Sequence, residues 1–140
     1  MATPVMPSYV HRPTIRFFEA DQQRVVYHMW YLAYFEDARN AMLAECGVSL
    51  RALHSDGLDL QIVHYELDWL GPVRYEDDLA IAVEVPTIGR TSFTLGYTAL
   101  VSEQPAVTGQ AVYVVVRRGE GQTVPVPEAL RTALRVGEAA

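Results

Sequence analysis

Met29-Trp30-Tyr31-Leu32-Ala33-Tyr34-Phe35-Glu36-Asp37-Ala38-Arg39-Asn40-Ala41-Met42-Leu43-Ala44-Glu45-Cys46 is the stretch from which the fold follows. Tyr31, Tyr34, Phe35, Ala38, Ala41, Met42 and Cys46 recur at the i, i+3, i+4 spacing of one helical face, and Gly47 stands where a left-handed residue stops a helix. With Leu32, Ala33, Leu43 and Ala44 added, this helix is apolar over more than one face, so it is expected to be central and wrapped by other structure. Downstream, Ser49 to Ser55 reads as a helical turn and Asp56-Gly57 as a tight turn, after which strands dominate. In Gln61 to Trp69, Val63, Tyr65, Leu67 and Trp69 alternate with His64, Glu66 and Asp68, the pattern of a half-buried strand ending at Gly71-Pro72. Leu79 to Val85 is nearly all apolar and ends at Pro86, Ser92 to Leu100 has a clean period of two, and Gln110 to Arg118 is a fourth long strand.

Upstream of the helix, Thr14 to Phe18 reads as a short strand, followed by the polar segment Glu19 to Arg24. Pro127 to Arg135 reads as a short terminal helix with proline at its start. The plan is α+β: one short strand, one long helix, then four strands whose short turns are expected to pair neighbours antiparallel. The sheet must cover its apolar face with the long helix. One domain over residues 1–140 is expected, with its core at about 14–127 and the C-terminal helix at about 127–135.

Composition narrows the function classes. The 140 residues are 50% hydrophobic and 20% charged, which suits a packed globule and excludes extensive disorder. A net charge of −6 repels nucleic acid and anionic membranes, so neither is an expected partner. All 11 cations are arginine, leaving no lysine for Schiff-base chemistry. The longest apolar run, Ala111 to Val116, falls far short of the roughly 20 residues that span a bilayer. Met1 to Pro13 lacks the basic and apolar segments of an export signal, and Cys46 is the sole cysteine, so a reducing cytoplasm is the expected location.

The segment Glu19-Ala20-Asp21-Gln22-Gln23-Arg24-Val25-Val26-Tyr27-His28 sets a carboxylate ahead of a histidine at the mouth of the long helix. The first-turn N–H groups of a helix are unpaired and the macrodipole adds about half a positive charge there, so residues 28 to 30 can stabilise an oxyanion. A loop that folds Asp21 back toward that end would confront a polarised carbonyl with a base or nucleophile, the requirement of acyl transfer to water. The plain alternative for Asp21 is a cap or a solvated turn residue.

The run Glu19-x-Asp21-x-x-x-Val25-Val26-Tyr27-His28-x-x-Tyr31-Leu32-x-x-Phe35-Glu36-x-Ala38-Arg39 resembles the signature of the 4-hydroxybenzoyl-CoA thioesterase branch of the hotdog superfamily, which includes the Tol-Pal-associated acyl-CoA thioesterases. Trp69-Leu70-x-Pro72-x-Arg74-x-x-Asp77 and Gly89-Arg90-x-Ser92 are similar to that family's turns into its third and fourth strands. The resemblance, over about Thr14 to Pro127, implies a curved antiparallel sheet wrapped around one long helix, and a homodimer that often pairs into a homotetramer. It implies hydrolysis of an acyl-CoA or aryl-CoA thioester to a carboxylic acid and coenzyme A, with no cofactor. By position, Asp21 matches the family's catalytic carboxylate, and the backbone N–H of His28 or its neighbour matches the donor that polarises the thioester carbonyl. The His28 imidazole matches a family histidine, with roles in orienting water or binding the acyl group; a structural role is the alternative. Tyr27, Trp30 and Tyr31 fall at the acyl pocket, core packing being the alternative for Tyr31, and Arg90 falls where the family contacts coenzyme A phosphates. Arg117, adjoining Arg118, is a second phosphate candidate.

The chain departs from the family pattern in three places. Gln22, Gln23 and Arg24 replace small residues and glycine, Trp30 replaces an asparagine, and Glu19 takes the place of the usual first acid. Two functions compete with hydrolysis: a 3-hydroxyacyl dehydratase, which needs a histidine base such as His28 plus a carboxylate, and a non-catalytic acyl-CoA or acyl-carrier binding protein whose pocket Trp30 and Arg24 would close to water. Glu36 with Arg39 and Asn40 reads as a surface or interface ion pair, with a second catalytic carboxylate as the sharper reading. His11, His54 and His64 show no ligand spacing, so no metal is expected. Neither a phosphate-binding glycine loop nor a GxSxG elbow occurs, and Cys46 is expected to be a small packed residue.

Overall fold

The long helix forms as its apolar stripe requires. In a computed structural model that describes residues 9–138, it is α1, Trp30–Glu45, and Tyr31, Tyr34, Phe35, Ala38, Met42 and Leu43 are buried along one face. Its stop is the expected glycine: Gly47 adopts φ +81°, its N–H donates to Ala44, the Val48 N–H reaches back to Leu43, and Val48 is buried. That pair of bonds satisfies carbonyls a helix end leaves orphaned. The opposite face, with Leu32 and Ala33, is exposed in the single chain, so the helix is covered on one side only.

The remaining elements are β1 (Tyr9–His11), a 3-10 turn (Phe17–Glu19), α2 (Leu50–Ser55), β2 (Leu58–Trp69), β3 (Leu79–Ile88), β4 (Ser92–Val101), β5 (Gln104–Arg117) and α3 (Glu128–Glu138). The strands make one antiparallel sheet in the order β1-β3-β4-β5-β2, the α+β hotdog arrangement of a sheet against one long helix. β2 pairs with β5 rather than with its successor β3, because residues 70–78 carry the chain across to the far side. The expected strand at Thr14 to Phe18 does not form. Phe17–Glu19 instead close a tight turn, with the Glu19 N–H on the Arg16 carbonyl, and the sheet's first strand is Tyr9–His11, laddered to Val83, Ala82 and Ile81. The first eight residues of the Met1 to Pro13 stretch, which the absence of an export signal concerned, lie outside the described residues.

Two boundaries move for physical reasons. β3 runs on past Pro86 to Ile88 because the register shifts between Glu84 and Thr87, and an irregularity of that kind tolerates a residue without an N–H. β5 begins at Gln104, since Ser102 and Glu103 adopt φ 50° and 65° and form a two-residue hairpin with β4.

The buried face gathers Phe93, Leu95, Tyr97 and Ala99 of β4 and Ala111, Tyr113 and Val115 of β5 with Leu130 and Leu134 of α3. Phe35 lies flat on Tyr97, with ring centroids 4.7 Å apart. The Phe35 side chain of α1 comes close to the sheet at Gly109, where a Cβ would sit 2.9 Å from Phe35 Cε2. Arg39 is buried rather than on a surface: its guanidinium lies 5.1 Å from the Tyr113 ring centre, donates twice to Asn40 Oδ1, and sits 3.8 Å from Glu36. Tyr113 and Tyr97 share a hydroxyl hydrogen bond of 2.5 Å, while the buried hydroxyl of Tyr65, whose ring stacks on Tyr97, has no partner among the described residues, so the core is partly polar and incompletely paired. Among the described residues, no helix is long and apolar enough to cross a membrane.

Candidate active site

Asp21 sits at the start of a tight hairpin whose base is laced by backbone bonds. Tyr27 N–H donates to the Glu19 carbonyl at 3.0 Å, Asp21 N–H to Val25 at 2.9 Å, and Arg24 N–H to Asp21 at 2.9 Å. The hairpin is also laid against the link before β3, through Val26 N–H on Val73 (2.7 Å) and Tyr75 N–H on Arg24 (3.0 Å). Arg24 pays for the tight turn with φ 64°, a conformation that suits the glycine or small residue it replaces. Asp21 Oδ1 accepts from the N–H of Gln23 at 2.8 Å and of Val25 at 3.4 Å, so the turn-residue role is real. These bonds engage one carboxylate oxygen and leave Oδ2 without a protein partner among the described residues, on an exposed side chain. A carboxylate with one anchored oxygen and one open oxygen is oriented and still able to act.

Asp21 borders open space. Phe17, Phe18, Ala20, Asp21, Gln22, Arg24, Tyr75 and Glu76 line a surface cleft of about 550 Å³. Phe17 and Phe18 are 79% and 65% exposed, which for adjacent phenylalanines marks surface meant to be covered. Phe17 meets Tyr75 edge-on and Phe18 meets Trp30 edge-on, each at 5.6 Å between ring centres, so Trp30 walls the site indirectly through Phe18. The strand expected at Thr14 to Phe18 conceals this role, since β-branched and aromatic residues there read as sheet.

α1 begins just beyond the hairpin. Its N-cap, Met29, offers no capping side chain, and the N–H groups of His28 and Met29 have no backbone acceptor among the described residues. The helix start therefore keeps free donors in a positive field. His28 and Tyr27 are exposed, with rings 4.2 Å apart, and neither lines the cleft. Tyr31 is buried against Tyr34 and Trp69, and burial above all pushes its phenol up to about 12, so core packing is its role within the single chain.

Arg90 and Arg117 are elsewhere. Arg90 occupies the β3–β4 turn and Arg117 ends β5, whereas the Asp21 hairpin packs on residues 73–75 at the Trp69 end of the sheet. Along β5, Arg117 opposite Leu58 and Val107 opposite Trp69 are ten residues apart, roughly 33 Å at about 3.3 Å per residue. One chain does not bring these arginines to its own Asp21. Cys46 is exposed, contrary to the packed position expected, and partial burial and then the Glu45 charge push its thiol up, away from a reactive thiolate. Among the described residues, no group of three His, Cys, Asp or Glu side chains is arranged to hold a metal ion. The residue that the sequence marked only as a departure is Glu19, buried beside the hairpin with its carboxylate on Tyr34 of α1.

Residues 15–134 match the family model of the thioesterase-like superfamily. The chain belongs to that superfamily. This thioesterase-like chain is 32% identical over 133 residues to a 1,4-dihydroxy-2-naphthoyl-CoA hydrolase of Synechococcus elongatus, covering 94% of the chain and 98% of the relative. It is 27% identical to the acyl-CoA thioester hydrolase YbgC of Escherichia coli over 72% of the chain and 75% of the relative. In fold, it superposes on a 1,4-dihydroxy-2-naphthoyl-CoA thioesterase from Synechocystis with a TM-score of 0.83, at 22% identity over 91% of the chain and 95% of that structure. The thioesterase-like chain thus combines the family's fold with a hairpin bulkier than the family's pattern.

Proposed function

We propose that the chain is an acyl-CoA thioesterase in which Asp21 supplies the catalytic carboxylate and the N-terminal amides of α1 stabilise the oxyanion. The observation that carries this reading is that Asp21, with one carboxylate oxygen unengaged, lines the aromatic cleft one hairpin away from an uncapped helix start. Family membership and the thioester hydrolases among the relatives support it. The thioester carbonyl points its oxygen at the His28 or Met29 N–H, which takes up the negative charge as the carbonyl carbon becomes tetrahedral. Asp21 either draws a proton from the attacking water or attacks the carbon itself to form an acyl-aspartyl anhydride that water then hydrolyses; on both routes the C–S bond breaks, the coenzyme A thiolate leaves and takes up a proton from the water consumed or from solvent, and the acid is released. Phe17, Phe18 and Tyr75 offer the acyl group an apolar, mainly aromatic wall.

The working unit is a homodimer. β2 is an outer strand of 12 residues whose free edge exposes Ile62, Val63 and Trp69, and a second copy is the natural cover for an unpaired edge of that length. Arg90 and Arg117, out of reach of their own Asp21, serve coenzyme A phosphates only at a neighbouring subunit's site. The test is release of free thiol from a panel of acyl-CoA and aryl-CoA thioesters by the natural chain, Asp21→Asn and Asp21→Ala. Turnover that falls at least about a hundredfold in both variants is expected. Coenzyme A binding without thiol release by the natural chain would mean a binding protein, and a change in enoyl absorbance without thiol release would mean a dehydratase.

A further inference from the structure

We propose that Glu19 is a positioning residue for this chemistry, its buried carboxylate clamping the Asp21 hairpin to α1; the inference rests on the assignment of catalysis to Asp21. Glu19 Oε1 accepts from the Arg16 N–H at 2.7 Å and from the Tyr34 hydroxyl at 2.9 Å, while its own carbonyl accepts from the Tyr27 N–H at 3.0 Å. One residue thereby joins the chain entering the hairpin, the chain leaving it, and the second turn of the helix. The hairpin holds Asp21 and the helix start holds the free amides, so the Glu19–Tyr34 bond sets the spacing between the two halves of the site.

The energetics favour a role in geometry over one in filling space. Glu19 is only 7% exposed, and no cation among the described residues pairs with it. A carboxylate buried on neutral donors alone is a costly occupant, and an apolar side chain of similar volume would pack there at lower cost. What an apolar residue lacks is the directional link from hairpin to helix. Burial, then the hydrogen bond and charge of Glu19, push the Tyr34 phenol up, so Tyr34 stays protonated and remains the donor. Tyr34 lies on the helix face that packs into the core beside Tyr31, so its end of the clamp is rigid.

The experiment measures kcat, KM and thermal midpoint for Glu19→Ala, Glu19→Gln and Tyr34→Phe, with Asp21→Ala alongside. Glu19→Ala and Tyr34→Phe release the clamp and are expected to lower kcat about ten- to a hundredfold, the range an ångström of misplacement produces. KM is expected to hold, since the cleft walls at Phe17, Phe18 and Tyr75 are untouched. Glu19→Gln keeps an acceptor oxygen in place and is expected to restore most of the kcat lost in Glu19→Ala. Tyr34→Phe removes a single oxygen and carries the test if Glu19→Ala does not fold. Wild-type kcat in Tyr34→Phe and Glu19→Ala, with Asp21→Ala inactive, overturns the clamp and leaves the Asp21 assignment standing. A lowered midpoint with unchanged kcat, or a Glu19→Gln as impaired as Glu19→Ala, overturns it too. An active Asp21→Ala removes the Asp21 assignment itself, and the clamp with it.

Discussion

Replacing Gly109 by alanine is expected to destabilise the fold, although the same change in most strands helps. The ordinary effect of Gly→Ala at a compatible backbone position is a gain of about 0.4–1 kcal/mol from a less flexible unfolded chain. At Gly109 the new methyl would stand 2.9 Å from Phe35 Cε2 and 3.2 Å from the Glu66 carbonyl oxygen. Carbon atoms in good contact are about 3.5–4.0 Å apart, so Phe35 must retreat by roughly 0.6–1.1 Å. It has little room, because its ring lies flat on Tyr97 at 4.7 Å with the rings 2° from parallel. Overpacking of this kind costs about 1–3 kcal/mol, which outweighs the entropic gain and leaves a net loss of about 1–2 kcal/mol. For a chain of this length that is a fall in thermal midpoint of about 3–8 °C, read by circular dichroism and by urea midpoint. Gly96→Ala is the matched control: its methyl would meet Pro86 Cγ at 3.7 Å and Glu84 Cβ at 3.9 Å, ordinary contacts, so the midpoint should hold or rise. A Gly109→Ala midpoint at or above the natural chain's would refute the claim that the Phe35 ring is pressed against β5 at this point.

Asp59 gives a pH test. Burial pushes its carboxyl up, but hydrogen bonds from His54 at 3.0 Å and from the Leu60 N–H, with the Arg118 charge, outweigh that and hold it below its ordinary 3.8. A lowered folded value means stability that is present above about pH 5 and lost as pH falls through the folded value, so the midpoint gap between the natural chain and Asp59→Asn should shrink between pH 5 and pH 3. A gap that widens in acid would contradict the ordering. Val63, 56% exposed on the β2 edge, should accept Asp with little effect on folding, while sedimentation shifts from dimer to monomer; a natural chain that sediments as a monomer disposes of the dimer. Asp21→Asn keeps an oxygen for the Gln23 and Val25 N–H groups and should melt with the natural chain, whereas Asp21→Ala should melt about 1 kcal/mol lower in stability as the turn loses both bonds.

The long helix, its glycine stop, the α2 turn and the four long strands were legible in the residues, because each rests on a local period or a local backbone requirement. Tyr31, Tyr34, Phe35 and Ala38 declare a helical face wherever the chain goes, and Ser92 to Leu100 alternates whatever it pairs with. The motif around Asp21 likewise lies within one stretch, and its loop geometry depends mostly on near neighbours. What remained hidden is what depends on distant residues. Three-residue β1 has no period of its own and exists because β3 offers it a ladder, while Phe17 and Phe18, lacking such a partner, turn outward to wall a cleft. β2 lies beside β5 because the link across residues 70–78 is long enough to skip a place, a choice no alternation in β2 encodes. Arg39 and Glu19 look like surface charges in the sequence. Tertiary packing alone supplied the Tyr113 ring for one, beside the oxygen of its neighbour Asn40, and the Tyr34 hydroxyl for the other. Local periodicity sets which residues seek the interior; only the closed structure decides which polar groups find partners there, because a hydrogen bond needs its donor and acceptor within about 3 Å whatever their separation in sequence.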